Sequence, residues 1–271
     1  MVARRTRPDS EKFSNEEALR EALAVLEAEV EELRSQIAKM VSTGGNFLAE
    51  AAHAIRSPLA ITHSYLEILH SDLSDGLTVD QQSFLTIAYE NAVKLRQLVD
   101  DLVDLAAFET GTARIELAPV FVSDIIASLR SEWRSIAEHK GLRLRTEISE
   151  GLPSVAVDED RLKDVLRRLF DNALRFTPKG GSVCVRASGD DKRVTIEVVD
   201  SGVGIPADRI DDSFEVFVQL HRQPGENREG YGLGLPLCRR TVQAFGGTLD
   251  LASTEGQGTT VTIRIPVSRR E

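Results

Sequence analysis

His53 lies in the run Phe47-Leu48-Ala49-Glu50-Ala51-Ala52-His53-Ala54-Ile55-Arg56-Ser57-Pro58-Leu59. Far downstream come Asp200-Ser201-Gly202-Val203-Gly204 and then Gly230-Tyr231-Gly232-Leu233-Gly234-Leu235. A helical histidine combined with a distant glycine-rich cradle points to phosphoryl transfer from a nucleotide to an imidazole nitrogen. Glycines at 230, 232 and 234 that lead into a helix start offer bare N–H groups and the positive end of a helix dipole to phosphate oxygens. Asp200 closes a strand-like run just before two glycines, so its carboxylate can accept a hydrogen bond from an amine at a pocket floor that the glycines leave open. Asn172, in Leu169-Phe170-Asp171-Asn172-Ala173, supplies an uncharged oxygen suited to Mg²⁺, which binds few protein ligands and keeps several waters. A lone GxG is usually a turn and a helical asparagine usually a cap or a solvated residue. Their order and spacing in one chain carry the inference.

These residues need elements to hold them. Leu19, Leu23, Leu26, Val30, Leu33, Ile37 and Met40 recur at alternating steps of 4 and 3, a heptad seam flanked by Glu and Arg. Such a narrow stripe predicts a coiled coil, and with it a second chain. Gly44-Gly45 interrupts it, and the seam resumes at Leu48, Ala52, Ile55, Leu59, Thr62, Leu66, Leu69 and Leu73. The second seam is displaced by one position, about 100° on a helix; the two glycines are either a point where rotation is passed on or a simple break. Turn chemistry fills 71–78. A second amphipathic helix is predicted over Gln81 to Glu109, on Phe84, Ile87, Ala88, Asn91, Leu95, Leu98, Leu102, Leu105 and Phe108. Such a hairpin is too narrow to bury both apolar faces alone, so two copies are expected to form a four-helix bundle. His53 falls one residue past the seam position Ala52, beside the buried stripe, and Pro58 should kink the helix after it.

From Thr110 the pattern changes. Strands are predicted at 113–119, 142–148, 183–187, 193–199, 248–253 and 259–266, with helices at 122–140, 160–176 and 233–245. The expected fold class is α+β. A coiled coil (15–45) follows a tail (1–14) with no predicted order, then a helical hairpin (46–110), then an α/β sandwich (111–271) with a mixed sheet and helices on one face.

Composition narrows the partners. A net charge of −10 over 271 residues argues against nucleic acid, whose binding needs clustered Lys and Arg. Two cysteines allow no disulfide framework, no apolar run approaches the roughly 20 residues of a membrane span, and no signal peptide is visible. A cytoplasmic protein is expected. His63 and His70 are seven residues apart, about 10 Å on a helix, too far to share a metal; His139 and His221 are isolated.

The ordered set of motifs resembles the sensor histidine kinases of two-component systems, from about residue 47 to the end. Phe47 to Leu59 is similar to the family's phosphoacceptor box, and Leu102-Val103-Asp104-Leu105-Ala106 with Phe108-Glu109-Thr110-Gly111 to its second dimerisation helix. Asp160 through Asn172-Ala173-Leu174-Arg175-Phe176-Thr177-Pro178 resembles its asparagine box. Asp200 to Pro206, Phe214 to Phe217, the glycines at 230–234 and Gly256-Gln257-Gly258-Thr259 resemble its remaining ATP boxes. The resemblance implies autophosphorylation of His53 from ATP, phosphotransfer to an aspartate of a response-regulator receiver domain, a homodimer, and an upstream sensor protein. It implies Asn172 as the Mg²⁺ ligand, Asp200 on the adenine amine, Gly202 and Gly204 at the adenine pocket, and Gly230, Gly232 and Gly234 at the phosphates. Arg175, Leu235 and Thr259 complete the implied nucleotide site, and 218–229 would be a lid. The receiver would dock near Ser57, Ala60, Ser64 and the second helix.

Three positions depart from the family pattern. Ala54 stands where a Glu or Asp is usual, removing general-base help worth about 10² to 10⁴ in rate. Ser57 stands where Thr or Asn is frequent, and Arg168 replaces an asparagine one turn before Asn172, within reach of a phosphate. Two alternatives follow: a degenerate kinase that binds nucleotide and acts by shape or sequestration, and an anti-sigma-type serine/threonine kinase, which would lack the paired helices.

Overall fold

The computed structural model describes residues 55–56, 59–60, 62–64, 66–69, 78–220 and 231–268. The expected coiled coil, its glycine break, Pro58 and the 71–77 turn lie outside them. The described positions between 55 and 69 are helical (α1), and α2 runs Val79–Glu109. Thr78 starts α2 with a capping box: its hydroxyl accepts the Gln81 N–H, and the Gln81 side chain accepts the Thr78 N–H. The helix therefore begins two residues before the sequence pattern suggested. Ile55, Ile68 and Leu69 on α1, and Phe84, Ile87 and Leu95 on α2, are exposed, so the hairpin leaves apolar surface uncovered.

After α2 come β1 (Ala118–Val120), α3 (Val122–His139), β2 (Arg143–Ile148), β3 (Val155–Val157) and α4 (Glu159–Phe176). Next are β4 (Ser182–Gly189), β5 (Arg193–Asp200), two short 3₁₀ turns, α5 (Gly234–Ala244), β6 (Thr248–Thr254) and β7 (Gly258–Pro266). Five strands form a mixed sheet in the order β2-β4-β5-β7-β6, with only β2 and β4 parallel. Alternation sends Val183, Val185, Ala187, Val194, Ile196, Val198, Ile263 and Ile265 to one face, where α3, α4 and α5 cover them. Trp133 of α3 stacks on Phe170 of α4 at 4.7 Å between ring centres, both buried. Fully burying a side chain of this kind contributes about 1.5–3 kcal/mol, so the layer is held by its apolar face.

The strand predicted over 113–119 is corrected. The Thr112 and Ala113 N–H groups fold back onto the Ala107 carbonyl, and the Glu116 N–H donates to Asp158, so only 118–120 joins a ladder. Its partner is β3, a strand missed by periodicity because three residues cannot display one; Val155 and Val157 are nonetheless buried. Asp158 then caps α4 by accepting the Arg161 N–H.

Candidate nucleotide site

Asp200 ends β5 half-buried, and its Oδ1 accepts the N–H of Gly202 at 2.8 Å and of Thr259 at 3.2 Å. One carboxylate oxygen thus ties the end of β5 to the start of β7. Burial nevertheless pushes the Asp200 pKa above the ordinary aspartate value, against the two N–H groups that pull it down. Ser253 completes the junction: its hydroxyl donates to the Gly258 carbonyl, meets the Thr259 hydroxyl at 2.9 Å, and accepts the Ile205 N–H at 2.8 Å.

The glycines divide into two kinds. At Gly202 a Cβ would overlap the Phe176 carbonyl, and at Gly204, with φ of 66°, the Thr254 carbonyl. At Gly232, with φ of 70°, it would lie 2.6 Å from the Val218 oxygen. These three are demanded by backbone contacts within the chain. Gly234 differs, because a Cβ there meets nothing within 4 Å among the described residues. It is the first residue of α5, whose N-terminus has no side-chain cap and no acidic residue in its first turn. Helix N–H groups that no described side chain caps are what an anion needs. Leu235 follows on the same turn, packed against the main core.

Asn172 is half-buried on α4, one turn before its C-terminal end, and its amide makes no hydrogen bond to a described residue. Among the described residues no three His, Cys, Asp or Glu side chains cluster as a metal cage. A single amide oxygen with phosphate oxygens and water suits Mg²⁺, so the residues present fit that ion. Arg175 sits three residues on, its guanidinium 5.2 Å from the Phe176 ring centre. His53, Ala54, Ser57 and Gly230 lie outside the described residues. A cavity of about 350 Å³ on the opposite, open face of the sheet reaches Asp200 and Gln257 but not Asn172 or Gly234.

The expectation that Arg168 reaches a phosphate is corrected. Its guanidinium makes two bonds to Asp101 of α2, at 2.9 and 2.6 Å, and is committed there. Asp101 was not anticipated, although a carboxylate three residues from Leu98 borders the apolar stripe and, once buried, requires a partner. Leu233 was likewise overlooked. Set between two cradle glycines, it is buried against Leu59, Val99, Leu102, Leu105 and Ala106, so the phosphate-side loop rests on the hairpin. His63 is buried beside Tyr89, with Nδ1 3.7 Å from Glu67 and Nε2 without a hydrogen-bond partner among the described residues.

Comparison with known proteins connects the hairpin to the nucleotide layer. The model of the His Kinase A (phospho-acceptor) domain matches residues 45–111, and that of the histidine kinase-, DNA gyrase B-, and HSP90-like ATPase matches 157–269. The chain belongs to the sensor histidine kinases of two-component systems. The chain is 32% identical over 222 residues to the aerobic respiration control sensor protein ArcB of Escherichia coli, covering 81% of this chain and 28% of the relative. Against the autoinducer 2 sensor kinase/phosphatase LuxQ of Vibrio parahaemolyticus the figures are 29% over 247 residues, 88% and 28%. Full-length ShkA, solved in complex with AMPPNP, matches with a TM-score of 0.70 and 28% identity over 84% of this chain and 47% of that one. The histidine kinase AdeS of Acinetobacter baumannii shares the fold, with a TM-score of 0.57 and 21% identity over 80% of this chain and 98% of that one. The chain spans less than half the length of the curated relatives it matches.

Proposed function

We propose that the chain is an ATP-dependent protein-histidine kinase that phosphorylates its own His53 and passes the phosphoryl group to an aspartate of a response-regulator receiver domain. The observation that carries this is the uncapped N-terminus of α5 at Gly234, held against a phosphoacceptor hairpin by Leu233. Asp200, fixed by Gly202 and Thr259, keeps its second oxygen for the adenine amine. The first N–H groups of α5 at Gly234 and Leu235 receive phosphate oxygens, together with Gly232 and, from the sequence, Gly230. Asn172 holds Mg²⁺, which when bound neutralises phosphate charge. A ring nitrogen of His53 attacks the γ-phosphorus as the bond to the bridging oxygen breaks, releasing ADP, and the imidazole proton passes to solvent because Ala54 offers no base. Phosphohistidine then gives up its phosphoryl group to the receiver carboxylate, a step that needs access and not a residue at 54.

The exposed stripe Phe84, Ile87 and Leu95 on α2, with Ile55 and Leu69 on α1, supports a homodimeric bundle, since an isolated hairpin leaves these groups in water. Ala60 and Ser64 are exposed, which suits receiver docking. Among the described residues no helix is long and apolar enough to cross a membrane, and two unpaired cysteines suit a reducing, cytoplasmic setting. An upstream sensor protein would supply the input. Incubation with γ-labelled ATP tests the assignment: acid-labile, alkali-stable label that disappears in His53→Gln is expected. Nucleotide binding without label over hours would favour the degenerate kinase, and acid-stable label would favour serine chemistry.

A further inference from the structure

Three arginines of the nucleotide layer reach carboxylates on one stretch of α2. Arg168 makes its two bonds to Asp101, Arg161 lies 3.6 Å from Asp104 and 5.5 Å from the Phe108 ring centre, and Arg240 lies 2.7 Å from Glu109. Beside them Leu233, Val216, Phe217 and Tyr231 meet the apolar face of the hairpin. The pairs are unequal. Side-chain exposure is 21% and 8% for Arg168 and Asp101, against 26% and 42% for Arg161 and Asp104 and 50% and 41% for Arg240 and Glu109. Exposed ion pairs contribute little, whereas a two-bonded guanidinium and carboxylate removed from water impose one geometry. Apolar contact is non-directional and by itself would let the layer slide along α2.

The contact adjoins the packing of α2 on α1. Arg56 of α1 bonds Asp100 of α2 at 2.9 Å, and further along His63 faces Tyr89, so the two helices run antiparallel.

We propose that Arg168 is a positioning residue for autophosphorylation: through Asp101 it fixes the nucleotide layer on α2 of the phosphoacceptor hairpin. The inference rests on His53 being the phosphoacceptor. In this reading the Arg168 side chain sets where the layer docks, and it does not bind nucleotide.

The test uses the full chain as Asp101→Asn, Arg168→Met and the exchange Asp101→Arg with Arg168→Asp. Each is assayed for the rate of His53 labelling at saturating ATP, KM for ATP, affinity for a fluorescent ATP analogue, and hydrogen exchange of α2 backbone amides at 98–106. Both single variants should lower the labelling rate by about 10- to 100-fold, the scale of a misplacement near 1 Å. KM and analogue affinity should stay within about twofold of wild type, as expected when an interaction outside the nucleotide site is lost. Exchange at 98–106 should quicken, and the exchange variant should recover rate and protection. An unchanged or raised rate in the single variants, a fall matched by equal loss of analogue affinity, or an exchange variant no better than either single would overturn the proposal. Absence of label on wild-type His53 would refute the autokinase assignment instead; unchanged amide exchange would then still overturn the docking role.

Discussion

Replacing Asp200 by Asn separates the two tasks of one carboxylate. Its Oδ1 accepts from Gly202 and Thr259 at 2.8 and 3.2 Å, and the single oxygen of an asparagine amide can keep both bonds. The other oxygen becomes an NH₂ group, which donates where the adenine amine also donates. Losing a charge-assisted hydrogen bond costs about 1.5–3 kcal/mol, so nucleotide affinity should fall roughly 10- to 100-fold. Stability should change by less than about 1 kcal/mol, since the junction between β5 and β7 keeps its acceptor. Asp200→Ala orphans both N–H groups at about 1–3 kcal/mol each and should melt well below wild type. Titration with a fluorescent ATP analogue and a thermal melt by circular dichroism check both halves. Burial holds the Asp200 pKa above the ordinary value, so the wild-type chain should lose nucleotide affinity on acidification earlier than an exposed aspartate would predict. For folding the sign is opposite: this group's contribution to stability declines as pH rises through its folded pKa, because the native state then binds more protons than the unfolded chain. Asparagine binding within twofold of wild type, or melting as low as Asp200→Ala, would refute this division of labour.

Three further outcomes are expected. Gly204→Ala should destabilise the fold by about 3 kcal/mol or more, because its Cβ overlaps the Thr254 carbonyl at positive φ, whereas Gly234→Ala should leave the melting temperature unchanged or slightly raised while weakening nucleotide binding; chemical denaturation and analogue titration of both separate the two kinds of glycine. Ala54→Glu should raise the rate of His53 labelling by about 10²-fold if the missing base limits it, and no increase in a chain with a wild-type melt would show that Ala54 is not the limit. Cys238 is buried with its thiol pushed up to about 12, so a thiol reagent at pH 8 should modify Cys184 alone in the native chain and both residues in denaturant.

Sequence pattern and folded structure agree most closely where one face of an element is continuously apolar. Leu162, Val165, Leu166, Leu169 and Phe170 announce α4, and its Asp158 cap marks the start. The alternation of Val183, Val185 and Ala187 likewise announces β4. β3 escaped because three residues carry no period, and 113–117 passed for strand because extended chain and paired strand share the same residue types. Within the site, Asp200 and Gly234 stood out by spacing. Why each glycine is required did not, since the overlap of Gly202 with Phe176 joins segments distant in sequence. Arg168 shows the limit most clearly: its neighbours on α4 point to nucleotide, yet a carboxylate 67 residues away holds it. Only the packing of α2 against the nucleotide layer brings that partner close.

The central claim is that His53 receives the γ-phosphoryl group of ATP. Mass spectrometry of the full chain after reaction with Mg-ATP, preserved at alkaline pH and mapped to the peptide spanning 47–59, tests it directly. A single phosphoryl group on His53, discharged by brief acid and absent from His53→Gln, is predicted. Phosphate on serine or threonine, or an unmodified peptide despite saturating nucleotide, would contradict it.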